Sequence, residues 1–250
     1  MILYVNGDSH SAGAELVHCI DGKLLIFKED DSSYWPIVGT IEGRAPHPEC
    51  IKLSYGQKLA DQLGYDFVCD AQSASSNDRI VRTTYEYLTG VQGMFNNRKP
   101  DLIVIGWSTW EREEWWDPET NRYWQVNAGG IGHDWPENIK RRYKDYIINM
   151  DIQAAMHRTF SKIWTLHTDL QKQKIDHLFF NCFEPLSGMP DVDWEGCYLE
   201  PYDPEFTYCN WLRAQGFKTV TPESFHFGTD SHRAWAQFLY QNLVQRNLTQ

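Results

Sequence analysis

Side chains that could act as a nucleophile, a base and an acid occur near both ends of the 250-residue chain. Ser9 lies in the run Gly7-Asp8-Ser9-His10, directly after a short apolar stretch. A serine in such a strand-to-helix turn can attack a carbonyl while neighbouring backbone N–H groups hold the developing oxyanion. Helix capping is the competing interpretation, because Ser and Asp are favoured at helix N-caps. The local sequence leaves both interpretations open.

A serine nucleophile needs a base, and the base needs an acidic partner that orients it. Two histidines six positions apart, His226 and His232, lie near the C-terminus beside Glu223 and Asp230. A single histidine is more often a packed or capping residue than a catalytic one. A position opposite a strand-end serine favours a catalytic role for at least one of the two.

Short apolar runs alternate with longer amphipathic ones, which predicts a doubly wound α/β fold with a parallel sheet. The predicted strands are 2–6, 65–70, 102–106, 177–181 and 217–220. The predicted helices are 51–64, 77–88, 139–173, 206–215 and 231–248. We predict one domain over 1–250, a flavodoxin-like three-layer α/β/α sandwich around a five-stranded parallel sheet. Ligands in such folds bind at the carboxyl ends of the strands, where Ser9 and the histidine loop are both expected.

The two end motifs together resemble those of the SGNH (GDSL-like) hydrolase family. Gly7-Asp8-Ser9-His10 is similar to the family's first block, and His226, His232, Trp235 and Ala236 are similar to its last block. The resemblance implies that Ser9 is the nucleophile, that His226 is the base and that His232 holds a structural position. Glu223 falls where the family has an Asp that orients the base, and Asp230 is the alternative acid.

The resemblance is weaker in the two middle blocks, which in the family supply oxyanion donors. Ala74 stands at the position of the family's Gly, and its backbone N–H can still donate. Ser108 replaces the family's Asn, so a shorter hydroxyl replaces the amide. The resemblance therefore implies an oxyanion hole formed by Ser9, Ala74 and Ser108. Asn77 is a further candidate donor.

A tryptophan-rich stretch follows the third predicted strand, at about 107–138, and holds six of the eleven tryptophans. Aromatic side chains interleaved with charged ones can bind sugar rings, because the aromatic faces pack on C–H groups and the charged groups hydrogen-bond the hydroxyls. The alternative is that they pack a long loop onto the domain or form a subunit contact. The predicted substrate-binding residues are Asn77, Trp107, Trp110 and Arg112.

These observations predict a serine ester hydrolase that removes a small acyl group, such as acetyl, from a carbohydrate or similar polyol. It would act through an acyl-enzyme, with no metal or organic cofactor. A binding module that keeps the fold without turnover is the second hypothesis. A metal-dependent hydrolase that uses Asp8, His10, His226 and His232 is the third.

The composition restricts the partners. Net charge −11 argues against nucleic acid or an anionic membrane surface as the main partner. No apolar run could span a bilayer, and the first residues lack the features of a secretory signal, so we expect a cytoplasmic protein. The six cysteines form no C-x-x-C pair and are expected to be reduced thiols rather than zinc ligands. Whether the chain forms a homo-oligomer stays open.

Overall fold

The computed structural model describes residues 1–20, 23–26, 46–91, 99–130 and 135–248. The strands are β1 (Ile2–Asn6), β2 (Val17–Ile20), β3 (Lys23–Ile26), β4 (Asp66–Cys69), β5 (Leu102–Trp107), β6 (Glu113–Asp117), β7 (Arg122–Val126) and β8 (Asp176–Asn181). The helices are α1 (Ser9–Ala12), α2 (Pro48–Leu53), α3 (Tyr55–Leu63), α4 (Asn77–Thr89), α5 (Glu137–Asn149), α6 (Ile152–Lys172), α7 (Tyr208–Ala214) and α8 (Thr229–Gln245).

The main sheet has four parallel strands in the order β4-β1-β5-β8. Counted by their succession along the chain, these strands have the order 2-1-3-4, which matches the first four positions of the flavodoxin-like order. The two central strands are buried along their whole length, as continuous apolar runs predict.

Helices cover both faces of this sheet. On one face, Leu3 and Val104 pack with residues of α3, α7 and α8, including Leu59 and Trp235. On the other face, alternate strand residues such as Tyr4 and Ile103 pack with residues of α4 and α6. Successive side chains of a strand point to opposite faces, so each buried strand contributes to both cores. The predicted α/β fold is confirmed and is consistent with three layers.

The predicted fifth strand, 217–220, does not pair with the sheet. It makes one antiparallel bridge, Thr219 to Phe227, and the Val220 N–H donates to the His226 carbonyl at 2.9 Å. The Phe217 N–H donates to the Leu212 carbonyl on α7, so this segment bonds to α7 and to the loop that carries His226. The free edge of β8 is bonded instead to residues 197–199, through both backbone groups of Phe179.

The tryptophan-rich stretch contains an antiparallel hairpin of β6 and β7, and its residues 131–134 lie outside the described part of the chain. The paired Trp115 and Trp124 pack with Trp135 and α5 in a small core of their own. Arg82 on α4 pairs with Glu114 on β6 at 2.7 Å. This ion pair holds the hairpin against α4. It thereby also positions the loop between β5 and β6.

The described helices include none that combines the length and the apolar character needed to cross a bilayer.

Candidate active site at the carboxyl edge of the sheet

A cavity of about 500 Å³ lies beyond the carboxyl ends of the parallel strands. It is lined by Ser9, His10, Ala14, Ser73, Ala74, Thr109, Arg112, Phe183, Phe225 and His226. These residues follow β1, β4, β5 and β8 or belong to the loop before α8. The two remote ends of the chain thus meet at one cavity.

Ser9 is the first residue of α1 and is 8% exposed. Asp8 caps this short helix, accepting a hydrogen bond from the His10 N–H at 3.0 Å. Gly7 makes the sharp turn before it, with φ +152°, and a Cβ there would lie 2.2 Å from Ser11 Oγ. The cap is therefore made by Asp8, and the Ser9 side chain is left on the cavity wall.

The acid beside His226 is Glu15. Glu15 Oε1 lies 3.3 Å from His226 Nδ1, and the Ser224 hydroxyl donates to Glu15 Oε2. Burial opposes ionisation of Glu15, but the contacts with His226 and Ser224 outweigh it and lower the pKa of the carboxyl. The carboxylate is thus held in its charged form beside the imidazole.

The two acids predicted from the sequence are placed elsewhere. Glu223 is exposed, and Asp230 is exposed and pairs with Arg233 at 3.0 Å. Glu15 is distant in sequence from His226 and follows the glycine that ends α1, so no spacing pattern pointed to it. Its backbone has φ +64°, a left-handed conformation that is uncommon for a non-glycine residue.

Ser9 and His226 share the cavity, but in the described residues no hydrogen bond joins Ser9 Oγ to the imidazole. Such contacts are often long without substrate. Since His226 Nδ1 lies beside Glu15, Nε2 is the nitrogen left for a proton transfer.

His10 and His232 lie around the base. The His10 ring is buried with its centroid 5.0 Å from that of His226, and its Nε2 is 3.8 Å from Cys209 Sγ. His232 Nδ1 accepts a hydrogen bond from the Tyr55 N–H at 3.0 Å, at the start of α3. Burial lowers the pKa of both rings, and that of His232 falls to about 3. Both therefore remain neutral and packed.

A buried polar cluster lies beside Ser9. Asp8 Oδ2 accepts from the Ser108 hydroxyl at 3.0 Å and from Arg112 Nη1 at 3.2 Å. Arg112 Nη1 also donates to Ser108 Oγ at 2.7 Å. The Ser108 hydroxyl proton is therefore donated to Asp8 in this structure, whereas the sequence predicts that it is donated to the oxyanion. Asp8 accepts hydrogen bonds at both carboxylate oxygens, and within the described residues Asp8, His10, His226 and His232 do not form a group of converging ligand atoms.

Arg112 does reach the cavity. Its Nε is buried without a hydrogen-bond partner among the described residues, and its side chain is 17% exposed. The guanidinium is thus a cation held against the cavity wall by Asp8.

Two backbone N–H groups near Ser9 are also open. Ala74 has φ +62°, the left-handed conformation that Gly adopts most readily, at the position where the family resemblance places a Gly. Within the described residues, the N–H groups of Ser9 and Ala74 have no acceptor. Both residues line the cavity.

Three predicted substrate-binding residues lie outside the cavity. Asn77 Oδ1 accepts from the Ser108 N–H at 2.8 Å and its Nδ2 donates to the Ser108 carbonyl at 3.0 Å, so it ties α4 to the loop after β5. Trp107 and Trp110 are buried in the core between the sheet and α4 and α6. These tryptophans pack the loop, and Phe183 and Phe225 are the aromatic residues on the cavity wall.

Comparisons with known proteins give a family and a distant structural likeness. A family model described as a family of unknown function (DUF6071) matches residues 47–216, a range that leaves out Ser9 and His226. A search of curated proteins finds no match.

Two solved structures resemble the chain. An acetyl xylan esterase from the rumen bacterium Butyrivibrio proteoclasticus has 14% identity and a TM-score of 0.42. A carbohydrate esterase family 2 enzyme with a carbohydrate binding domain, from Corynascus thermopiles (Myceliophthora fergusii), has 17% identity and a TM-score of 0.43. Each match covers 98% of this chain but only 64% and 66%, respectively, of the solved chains, so the chain spans less than two thirds of their length.

Proposed function

We propose that this chain, which belongs to the family of unknown function DUF6071, hydrolyses carboxylic esters through a serine nucleophile. One observation carries the proposal: Ser9 and His226 line the same cavity, and the Glu15 carboxylate lies 3.3 Å from His226 Nδ1. A hydroxyl, then an imidazole, then a carboxylate, arranged in that spatial order, are the groups that serine acyl transfer requires.

In the proposed reaction, Ser9 Oγ attacks the ester carbonyl carbon and His226 Nε2 takes the hydroxyl proton. The Glu15 carboxylate stabilises the imidazolium that forms. The tetrahedral intermediate collapses, the bond to the alcohol breaks, and the alcohol leaves with the proton from His226. Water then attacks the acyl-enzyme, again with His226 as the base, and releases the acid and Ser9.

The oxyanion of each tetrahedral intermediate needs donors that are fixed in advance. The N–H groups of Ser9 and Ala74 are available for this, since neither has an acceptor among the described residues. We assign the third donor to the Arg112 guanidinium, because the Ser108 hydroxyl is bonded to Asp8. The Arg112 cation would compensate for the Asn side-chain amide that the SGNH family has at the position of Ser108.

We further propose a small acyl group on a polyol or carbohydrate. The cavity of about 500 Å³ is walled by the small Ala14 and Ala74 and by the polar Ser73 and Thr109. Phe225 is 71% exposed at its open side and offers a ring face of the kind that stacks on sugar C–H groups.

Release of p-nitrophenol from p-nitrophenyl acetate tests the function. We expect Ser9→Ala to reduce kcat to background and Ser73→Ala, which removes another hydroxyl from the same wall, to retain turnover. Equal rates for wild type and Ser9→Ala would contradict the proposal.

A binding module without turnover is the second candidate, favoured by the lack of a Ser9–His226 hydrogen bond in the described residues. Binding of acetylated sugars by a wild-type chain that releases no product would support it.

A further inference from the structure

A second cavity, also of about 500 Å³, lies at the opposite, amino edge of the sheet. Met1, Tyr65 and Asp101, which precede or begin near β1, β4 and β5, line it together with His177 and Cys197. It shares no lining residue with the cavity of Ser9.

Three residues with soft or borderline donor atoms meet beside this cavity. His167 lies on α6, His177 is the second residue of β8, and Cys197 lies on the segment that bonds the edge of β8. One ligand atom from each lies within 4.8 Å of the others, and all three residues are buried. Tertiary structure brings them together, since they are ten and twenty positions apart.

The hydrogen bonds fix the protonation of the imidazole pair. His177 Nδ1 lies 3.0 Å from the Ile175 carbonyl, which can only accept, so Nδ1 carries the proton and Nε2 presents a lone pair. His167 Nδ1 lies 2.8 Å from that Nε2 and therefore donates to it. A backbone carbonyl that holds one ring nitrogen of a histidine is the usual support for metal ligation by the other nitrogen.

The outer nitrogen of His167 has no such support. His167 Nε2 is buried, and no hydrogen-bond partner is present for it among the described residues. A structural histidine pair would satisfy its buried nitrogens, because an unmet polar group in the interior is costly. The lone pair on His177 Nε2 and the unpartnered Nε2 of His167 both favour a ligand that the two rings share.

From this arrangement we infer that His167, His177 and Cys197 form a binding site for a divalent cation of the zinc class. Two imidazole nitrogens and one sulfur are donors that zinc prefers, whereas magnesium and calcium prefer oxygen. Zn–N bonds of 2.0–2.1 Å place two tetrahedral ligand nitrogens about 3.3 Å apart, so the pair needs to open by only about half an ångström.

Binding involves a defined proton balance. The Cys197 thiol releases its proton to solvent and becomes the thiolate ligand. If His167 binds through Nδ1, the proton on that nitrogen moves to Nε2, and no oxidation or reduction takes place. Asp176 and Glu195 line the same cavity, so a carboxylate or a water can complete the fourth position.

Cobalt(II) is the probe, because a tetrahedral cobalt–thiolate site gives visible d–d bands and a thiolate-to-cobalt charge-transfer band. We expect one equivalent to bind to the wild-type chain and zinc to displace it. Cys197→Ser should abolish the charge-transfer band, and His177→Ala should weaken binding by more than about 10²-fold, beyond the loss of a supporting partner alone.

The controls are Cys69→Ser, which changes a half-buried thiol on β4, and His157→Ala, at an exposed position of α6. Both should bind cobalt as the wild type does. If a ligand variant fails to fold, X-ray absorption of the zinc-loaded wild-type chain decides the matter, with one sulfur and two imidazole neighbours expected. Absence of stoichiometric cobalt binding, or a zinc shell without sulfur, would overturn the inference.

Discussion

Replacing Glu15 with Gln tests which acid serves His226. The substitution keeps the size of the side chain and an oxygen that can accept from Ser224, but it removes the charge 3.3 Å from His226 Nδ1. If Glu15 stabilises the imidazolium of the transition state, kcat falls while KM changes little, because the charge develops only during reaction.

The size of the effect follows from the distance and the exposure. At 3.3 Å, the attraction between the two charges is about 5 kcal/mol at a dielectric constant of 20 and about 1.3 kcal/mol in bulk water. The Glu15 side chain is 25% exposed, so its value lies between these limits. We expect a loss of about 10²-fold in kcat, less than the roughly 10⁴-fold for a fully buried triad acid.

The assay is the steady-state hydrolysis of p-nitrophenyl acetate. Glu223→Gln is the matched control, because Glu223 is the acid that the sequence favoured and it is exposed in the structure. It should leave kcat unchanged. A large loss in Glu223→Gln with normal turnover in Glu15→Gln would refute the assignment of the acid.

Three other predictions concern the oxyanion donors and the stability in acid. Arg112→Met should lower kcat by about 10²–10³-fold, the usual cost of one oxyanion donor, and an effect on KM alone would argue against the role. Ala74→Gly should keep activity and raise Tm slightly, because φ +62° suits glycine; a lower Tm would contradict this reasoning. Burial lowers the pKa of His232 from 6.5 to about 3 and that of His10 in the same direction. Below pH 6.5 the unfolded chain binds protons that the folded chain does not. The free energy of unfolding should therefore decrease as the pH is lowered, by about 1.4 kcal/mol per pH unit for His232, and His10 adds to this loss. Denaturant titrations between pH 7 and 4 measure the slope, and a flat profile would contradict it.

The strands of the sheet could be predicted because each one is indicated by the residues of its own short segment. Short, mainly apolar runs at 2–6 and 102–106 favour buried strands, and the structure has β1 and β5 there. The run 217–220 is also apolar at its ends, but the Phe217 N–H donates to α7 and the Val220 N–H donates to the His226 loop. Strand pairing is a choice between partners, and the composition of one segment does not determine it.

The candidate site was predictable only where a residue lies in the segment that follows a predicted strand. Ser9, Ala74 and His226 meet this condition and line one cavity. Glu15 does not, because a left-handed backbone and a hydroxyl from Ser224 bring it to His226. Neither the backbone conformation of Glu15 nor its hydrogen bond from Ser224 can be predicted from a sequence pattern.

Competition between side-chain contacts explains where the structure places the other residues differently from the sequence-based expectations. From the sequence Ser108 is a free donor, but in the structure its hydroxyl donates to the Asp8 carboxylate. The tryptophans looked like sugar-binding faces, but Trp107 and Trp110 are large enough to gain more from core burial. His167, His177 and Cys197 have no short ligand spacing, so no metal motif was visible.

The most direct test of the account is the mass of the peptide labelled by a serine-directed fluorophosphonate. We expect a single adduct on Ser9, within residues 1–23, which end at the first lysine of the chain. An adduct on another serine, or a folded chain that the reagent does not label, would contradict it.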